Sequence, residues 1–226
     1  MNAELLGTFL EYFSKLLMLL LVLPLREVAR GLMARKMGDD TPEREGRLTL
    51  NPFVHLDLIG SLMIMLIGFG WTKPMPINVN NFKDRRKGVL LTSLTGPVTN
   101  LISAFVCALG CEIIMNIESA MASINPLSCF ALVLGFLSSI NVCLGVIGLL
   151  PLPQMDGFTV LRCFTGPKFD RWYFNNYRTI NTASMVIIVL LFTLPPSINP
   201  LMYLITAVNA LVDFSVSWVP MIFKGA

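Results

Sequence analysis

Pro24-Leu25-Arg26-Glu27-Val28-Ala29-Arg30-Gly31 sets two arginines four residues apart at the end of a long apolar run. In a helix that spacing puts both side chains on one face, with Glu27 next to the first. With histidine at 26 and 30 the stretch would read H-E-x-x-H, in which two imidazoles hold Zn²⁺ and the glutamate serves as general base. Arginine changes the chemistry: a guanidinium is a permanent cation with donors only and cannot ligate a metal. The segment has the spacing of a metal site without its ligands.

The 226-residue chain around it is 54% hydrophobic and only 14% charged, with a mean hydropathy of +0.69. Soluble globular domains do not have this composition, and it points to a polytopic membrane protein. Apolar runs at about 5–25, 89–115, 127–150, 185–194 and 201–218 predict four or five spans at about 20 residues each. The pI near 8.7 reflects topology and not a nucleic-acid partner. No basic leader or small-residue cleavage site precedes the first run, so it reads as a retained span. The five cysteines, at 107, 111, 129, 143 and 163, read as buried apolar thiols.

Basic residues gather in 35–57, 71–88 and 162–180 and are missing from 116–126. The positive-inside rule places the three basic segments in the cytoplasm and 116–126 outside. The apolar piece 58–69 has basic sequence on both sides and is short for a span, so it reads as re-entrant or as a short helix shielded by protein. Residues 1–36 predict one helix, ended by Gly38-Asp39-Asp40. In Lys73-Pro74-Met75-Pro76-Ile77-Asn78-Val79, alternate prolines exclude a central strand and suit an edge strand or a surface loop. Gly96-Pro97 loosens the span from Val89, and Asn100 and Asn141 are amides at membrane depth. Pro151 and Pro153 break the next span, which predicts Asp156 on non-helical backbone near the membrane.

Several of these pieces, in this order, resemble the site-2 protease family of intramembrane zinc metalloproteases in its short form, without a PDZ or CBS domain. The resemblance covers roughly residues 20–160. Gly46-Arg47-Leu48-Thr49-Leu50-Asn51-Pro52, His55-Leu56-Asp57 and Gly60 resemble G-R-L-T-L-N-P…H-x-D-P-x-G, with Leu58 in place of the proline. Phe69-Gly70-Trp71-x-Lys73-Pro74-x-Pro76 resembles F-G-W-x-K-P-x-P, Gly96-Pro97-x-x-Asn100 matches G-P-x-x-N, and Met155-Asp156-Gly157 stands at L-D-G. In active members, the resemblance implies, two histidines and this aspartate hold zinc and the glutamate activates its water. Here Glu27 and Asp156 are present, whereas Arg26 and Arg30 take the histidine positions. Gly148 replaces an asparagine and Gln154 a proline of N-L-L-P-x-P-P-L-D-G.

Taken without the resemblance, Arg26 and Arg30 read as snorkelling residues at a helix end. With it, they face Asp156 inside the bundle. Two guanidiniums, Glu27 and Asp156 then sum to zero, as Zn²⁺ with two carboxylates does. The expectation is an all-α polytopic bundle of one integral-membrane domain over 1–226. Its parts are the 1–36 helix, a cytoplasmic or re-entrant 41–88 segment with an edge strand near 45–80, spans 89–115 and 127–150, the 150–157 loop and a helical pair at 181–222. The charge cluster is Arg26, Glu27, Arg30 and Asp156, with Glu27 at the general-base position. A groove is expected at Lys73, Pro74, Pro76, Asn78, Asn100 and Asn141, although both asparagines also read as interhelical glue. His55, the sole histidine, reads as ordering the 46–60 loop. The functional expectation is a pseudoprotease, not an enzyme, without zinc or other cofactor. It would bind or regulate a transmembrane client or an active paralogue in a bacterial cell membrane. The alternative is an active zinc endopeptidase with non-standard ligands. A small transporter or channel is disfavoured, because this cluster is the one charged path in the spans.

Overall fold

The computed structural model describes residues 3–67, 70–117 and 126–224. Among them there is no β-strand, and four helical stretches are long and apolar enough to cross a membrane: Glu4–Met37, Arg85–Met115, Pro126–Gly148 and Pro200–Ile222. The molecule is an all-α polytopic membrane protein, as its composition required.

The first stretch joins helices α1 (Ala3–Leu17) and α2 (Leu23–Met37) through a π-turn at Met18–Val22. Pro24 explains the turn. Proline has no N–H to give and its ring crowds the preceding turn, so the ladder widens just upstream. There the Leu23 N–H reaches back five residues to the Met18 carbonyl. Gly38 caps α2 at φ 113°, a left-handed conformation that glycine adopts without strain.

Asp39 follows, fully buried, and ties the end of α2 to distant sequence. Its carboxylate accepts from the Thr41 hydroxyl and amide, from the Asn78 N–H at 2.7 Å and from Asn81 Nδ2 at 2.8 Å. Burial alone would raise its pKa, but these donors together hold it below the usual 3.8.

Three short helices then run over the surface: α3 (Thr41–Arg44), α4 (Pro52–His55) and α5 (Leu58–Ile67). Helix α5 drops Ile64 into the core formed by Leu10, Met18, Leu19, Val22 and Leu23 of the first stretch with Val133 and Leu137. Its opposite side, with Leu58, Ile59, Leu62 and Leu66, is exposed. The expected edge strand does not form as a ladder. Residues 73–78 form no regular element, with extended dihedrals at Asn78, and strand pairing among the described residues is limited to one antiparallel bridge, Leu56 to Thr72. Pro74 and Pro76 remove two donors, and no second strand lies alongside among the described residues. Phe69 of the F-G-W segment and residues 118–125 of the 116–126 loop lie outside the described residues.

Helices α6 (Arg85–Met115) and α7 (Pro126–Gly148) form the most extensive contact, packed antiparallel. Their register is fixed by Ser138 Oγ donating to the Ala104 carbonyl at 2.9 Å and by Gly145 lying against Pro97 and Leu101. Small residues let the two backbones approach closely. Beyond α7 come α8 (Asp156–Phe164), α9 (Pro167–Asn175) and α10 (Tyr177–Thr193). Then α11 (Pro200–Val216) packs Leu201 and Ile205 on Ala104, Val142, Val146 and Ile147, and α12 (Val219–Lys224) closes the chain. Of the expected C-terminal pair, only the second is long enough to cross, because α11 runs on into α12 as one stretch, Pro200–Ile222, whereas α10 ends after 17 residues.

Candidate functional site

Helix α2 presents Arg26, Glu27 and Arg30 toward the α6–α7 pair, and α8 brings Asp156 to meet them. Asp156 is divided between the two arginines: Arg26 Nη2 lies 3.0 Å from Oδ2, and Arg30 Nη2 lies 3.2 Å from Oδ1. Arg26 Nη1 also lies 3.5 Å from Glu27 Oε1. The side chains are 2–21% exposed, so the charges sit in a largely desolvated place where pairing is required. The cluster sums to zero.

Asp156 is not on the non-helical backbone expected of it. It is the first residue of α8, after Met155 as N-cap. A carboxylate there is favoured by the free N–H groups and dipole of the helix start. The break is spent earlier, over 149–155, and it includes Gln154 at φ 80°. Proline, fixed near φ −65°, could not occupy that conformation. The substitution at 154 therefore accompanies a turn that a proline-bearing sequence cannot make.

Two contacts escaped the sequence reading. Thr72 Oγ1 donates to Glu27 Oε1 at 3.3 Å, so the 72–78 segment begins against the buried glutamate. Gly96 is the wall behind the ion pairs. A Cβ there would lie 3.1 Å from Arg26 Nε and 3.2 Å from Asp156 Oδ2. A Gly-Pro kink announces a bend, but it says nothing of which side chain lies on the exposed backbone.

Glu27 is 1% exposed, and its Oε2 has no hydrogen-bond partner among the described residues. The Nε atoms of Arg26 and Arg30 are buried and unpartnered as well. Asn100 and Asn141 are fully buried at the same level of the α6–α7 contact. Asn141 Nδ2 donates to the Leu137 carbonyl, whereas neither side-chain polar atom of Asn100 has a partner among the described residues. His55 is fully buried, with Nε2 2.7 Å from the Thr49 carbonyl. A carbonyl only accepts, so Nε2 carries the proton. The His55 carbonyl takes the Lys73 N–H at 2.8 Å, tying the 46–60 loop to the 72–78 segment.

Along that segment Lys73, Pro74 and Asn78 are exposed, Pro76 is half-buried and Met75 is buried, near Gly31 of α2. The Met75 and Ile77 backbone groups have no hydrogen-bond partner among the described residues. Residues two apart in extended chain point these groups to the same edge.

The donor set does not fit a catalytic zinc. Such a site takes three ligands from His, Cys, Asp or Glu and leaves one position open. Of the three positions concerned, two are guanidiniums and the third carboxylate is engaged by both. Among the described residues, no group of three or more His, Cys, Asp and Glu side chains is placed to hold a metal ion. No step through a metal follows from this arrangement.

Comparison with known proteins finds two bacterial relatives. One, "Putative zinc metalloprotease YwhC" of Bacillus subtilis (strain 168), is 38% identical over 147 residues, covering 63% of this chain and 65% of the relative. The other, "Putative zinc metalloprotease Rip2" of Mycolicibacterium smegmatis (strain ATCC 700084 / mc(2)155), is 28% identical over 194 residues, covering 80% of this chain and 66% of the relative. The chain thus spans just under two thirds of the length of these relatives. No family model and no solved structure matches it. These names correct one expectation. The chain was read from its arginines as not an enzyme, whereas relatives named as zinc metalloproteases point to an enzyme.

Proposed function

We propose that the chain is a site-2 protease-type protein of a bacterial cell membrane that receives a transmembrane segment of a client protein between the 72–78 segment and the Arg26–Glu27–Arg30–Asp156 cluster. One observation carries the reading. The 72–78 segment starts at Thr72, in contact with Glu27, and runs along α2 past Gly31, with the Met75 and Ile77 backbone groups unpaired among the described residues. An extended peptide can pair with such an edge through main-chain hydrogen bonds, which sets its backbone beside the charge cluster. Asn100 and Asn141 would line the deeper part of the same groove.

In this reading the arginines take zinc's structural place. A dication joining two helices through carboxylates becomes two monocations joining them through Asp156. The chain purified in detergent is then expected to carry no stoichiometric zinc, and one tightly bound zinc per chain would overturn that part. Photo-crosslinkers at Lys73 and Asn78, on the exposed side of the segment, are expected to capture membrane proteins through their transmembrane segments. Capture only of soluble proteins, or nothing above background, would overturn client binding.

The relatives' names favour a second reading, cleavage of the client's peptide bond, with Glu27, buried at the family's general-base position, as the residue it depends on. Incubating the crosslinked client with the parent chain and with Glu27→Gln separates the two. A product that appears with the parent alone supports hydrolysis.

A further inference from the structure

We infer that α9 and the start of α10 form a binding site for anionic phospholipid headgroups, in the leaflet on the basic side of the membrane. The inference does not rest on the client-binding reading. Helix α9 turns Phe169 and Tyr173 inward onto Phe158 of α8, with ring centroids 6.3 and 4.9 Å apart. On the two flanks of that inward face Trp172 is 53% and Phe174 59% exposed, and the amphipathic indole of Trp172 suits the depth of the headgroups.

Charge completes the match. Lys168, Arg171 and Arg178 are all exposed and have no ion-pair partner among the described residues. The one acid between 162 and 180, Asp170, is engaged by Arg162 Nε at 2.9 Å. The Arg162 guanidinium also lies over the rings of Tyr173 (5.3 Å) and Phe174 (5.1 Å). It is therefore a fixed part of the scaffold, and the three free cations remain for ligand. Cations standing beside exposed aromatic rings meet a phosphate at the membrane surface, whereas a freely soluble anion would gain nothing from the rings.

The site has a mechanical connection to the charge cluster. The Phe158–Tyr173 and Arg162–Asp170 contacts lock α9 to α8, and α8 begins at Asp156. Headgroups held on α9 steady the helix that carries the cluster's shared carboxylate.

The test uses the full chain with Trp71→Phe and Trp218→Phe, leaving Trp172 as the single tryptophan. It is reconstituted in vesicles containing brominated phosphatidylglycerol or brominated phosphatidylcholine at equal mole fraction. Stronger quenching by the anionic lipid is expected, with a factor of about five in local enrichment for each contributing cation at low salt. K168Q/R171Q/R178Q is expected to abolish the preference, and the single variants to reduce it in steps, which covers a triple variant that fails to fold. K168R is expected to retain it. Equal quenching by the two lipids in the parent, or a preference surviving in the triple variant, would overturn the site. Loss of the preference on adding inorganic phosphate at matched ionic strength would assign the cations to a soluble anion and overturn it as well.

Discussion

Asp156 accepts from Arg26 on one oxygen and from Arg30 on the other, so a single truncation orphans two guanidiniums. Removing one partner of a buried pair costs about 3–5 kcal/mol, most of it from the charge left behind. Asp156→Ala is therefore expected to lower the unfolding midpoint in detergent well beyond Asp170→Ala, whose Arg162 partner is more exposed. Equal midpoints for the two variants would show that the cluster contributes no net stability. Gln154 offers the reverse test. Its φ of 80° costs a side-chain-bearing residue about 1–2 kcal/mol, which glycine avoids. Gln154→Gly is expected to raise the midpoint and Gln154→Pro to lower it, read in the same melt. Arg26, Arg30 and Asp156 could be singled out in the sequence because charge in an apolar chain is conspicuous and their spacing is helical. Thr72 and Gly96 could not, because a hydroxyl and a missing side chain acquire their meaning from what a distant helix lays against them.

At the scale of elements, Asp39 is the main tie between the end of α2 and the 78–81 turn, supported by Asn81 Nδ2 donating to Thr41 Oγ1 and by the Lys83 N–H donating to the Met37 carbonyl. The pKa of Asp39 is depressed in the folded state by donated hydrogen bonds that outweigh its burial. The stabilisation is therefore present above the unfolded value of 3.8 and is lost as pH falls through the lower folded value. Unfolding below pH 3.8 is expected to free 78–81 first, followed by hydrogen exchange at the Asn78 amide. In Asp39→Asn that amide is expected to exchange faster at neutral pH and to lose this acid dependence. The helix end at Gly38 was legible, since glycine beside two aspartates is a stop signal. The role of Asp39 was not, because its partners at 78 and 81 lie about 40 residues away. The edge strand was over-read for a related reason: alternating prolines say which edge cannot donate, and only the fold says whether a neighbour exists.

Across the whole molecule, four or five spans and a charge cluster at the end of the first follow from hydropathy and helical spacing, and four such helices are present among the described residues. The packing of α6 on α7 through Gly145 and Pro97 does not, because several faces of each helix are equally apolar. A scaffold that positions residues 26, 30 and 156 together predicts what their exchange would do. R26H/R30H supplies two imidazoles opposite Asp156, a three-ligand set with the spacing zinc requires. That variant is expected to bind one zinc per chain by metal analysis of the dialysed protein, whereas R26H alone is expected to bind none tightly. Failure of the double variant to take up zinc while still folded would mean that the three positions no longer converge as a metal demands.

The π-turn at Met18–Val22 gives the first span a phase joint. Each residue of an α-helix advances the face by one part in 3.6 of a turn, so one extra residue in the ladder offsets everything before it relative to everything after. Leu10 and Met18 can thus be aimed at α7 on one setting while Arg26 and Arg30 are aimed at Asp156 on another. Deleting a single residue between 18 and 22 would let the ladder close as a regular α-helix. The two halves would then share one setting, and either the core or the cluster would turn away from its partner.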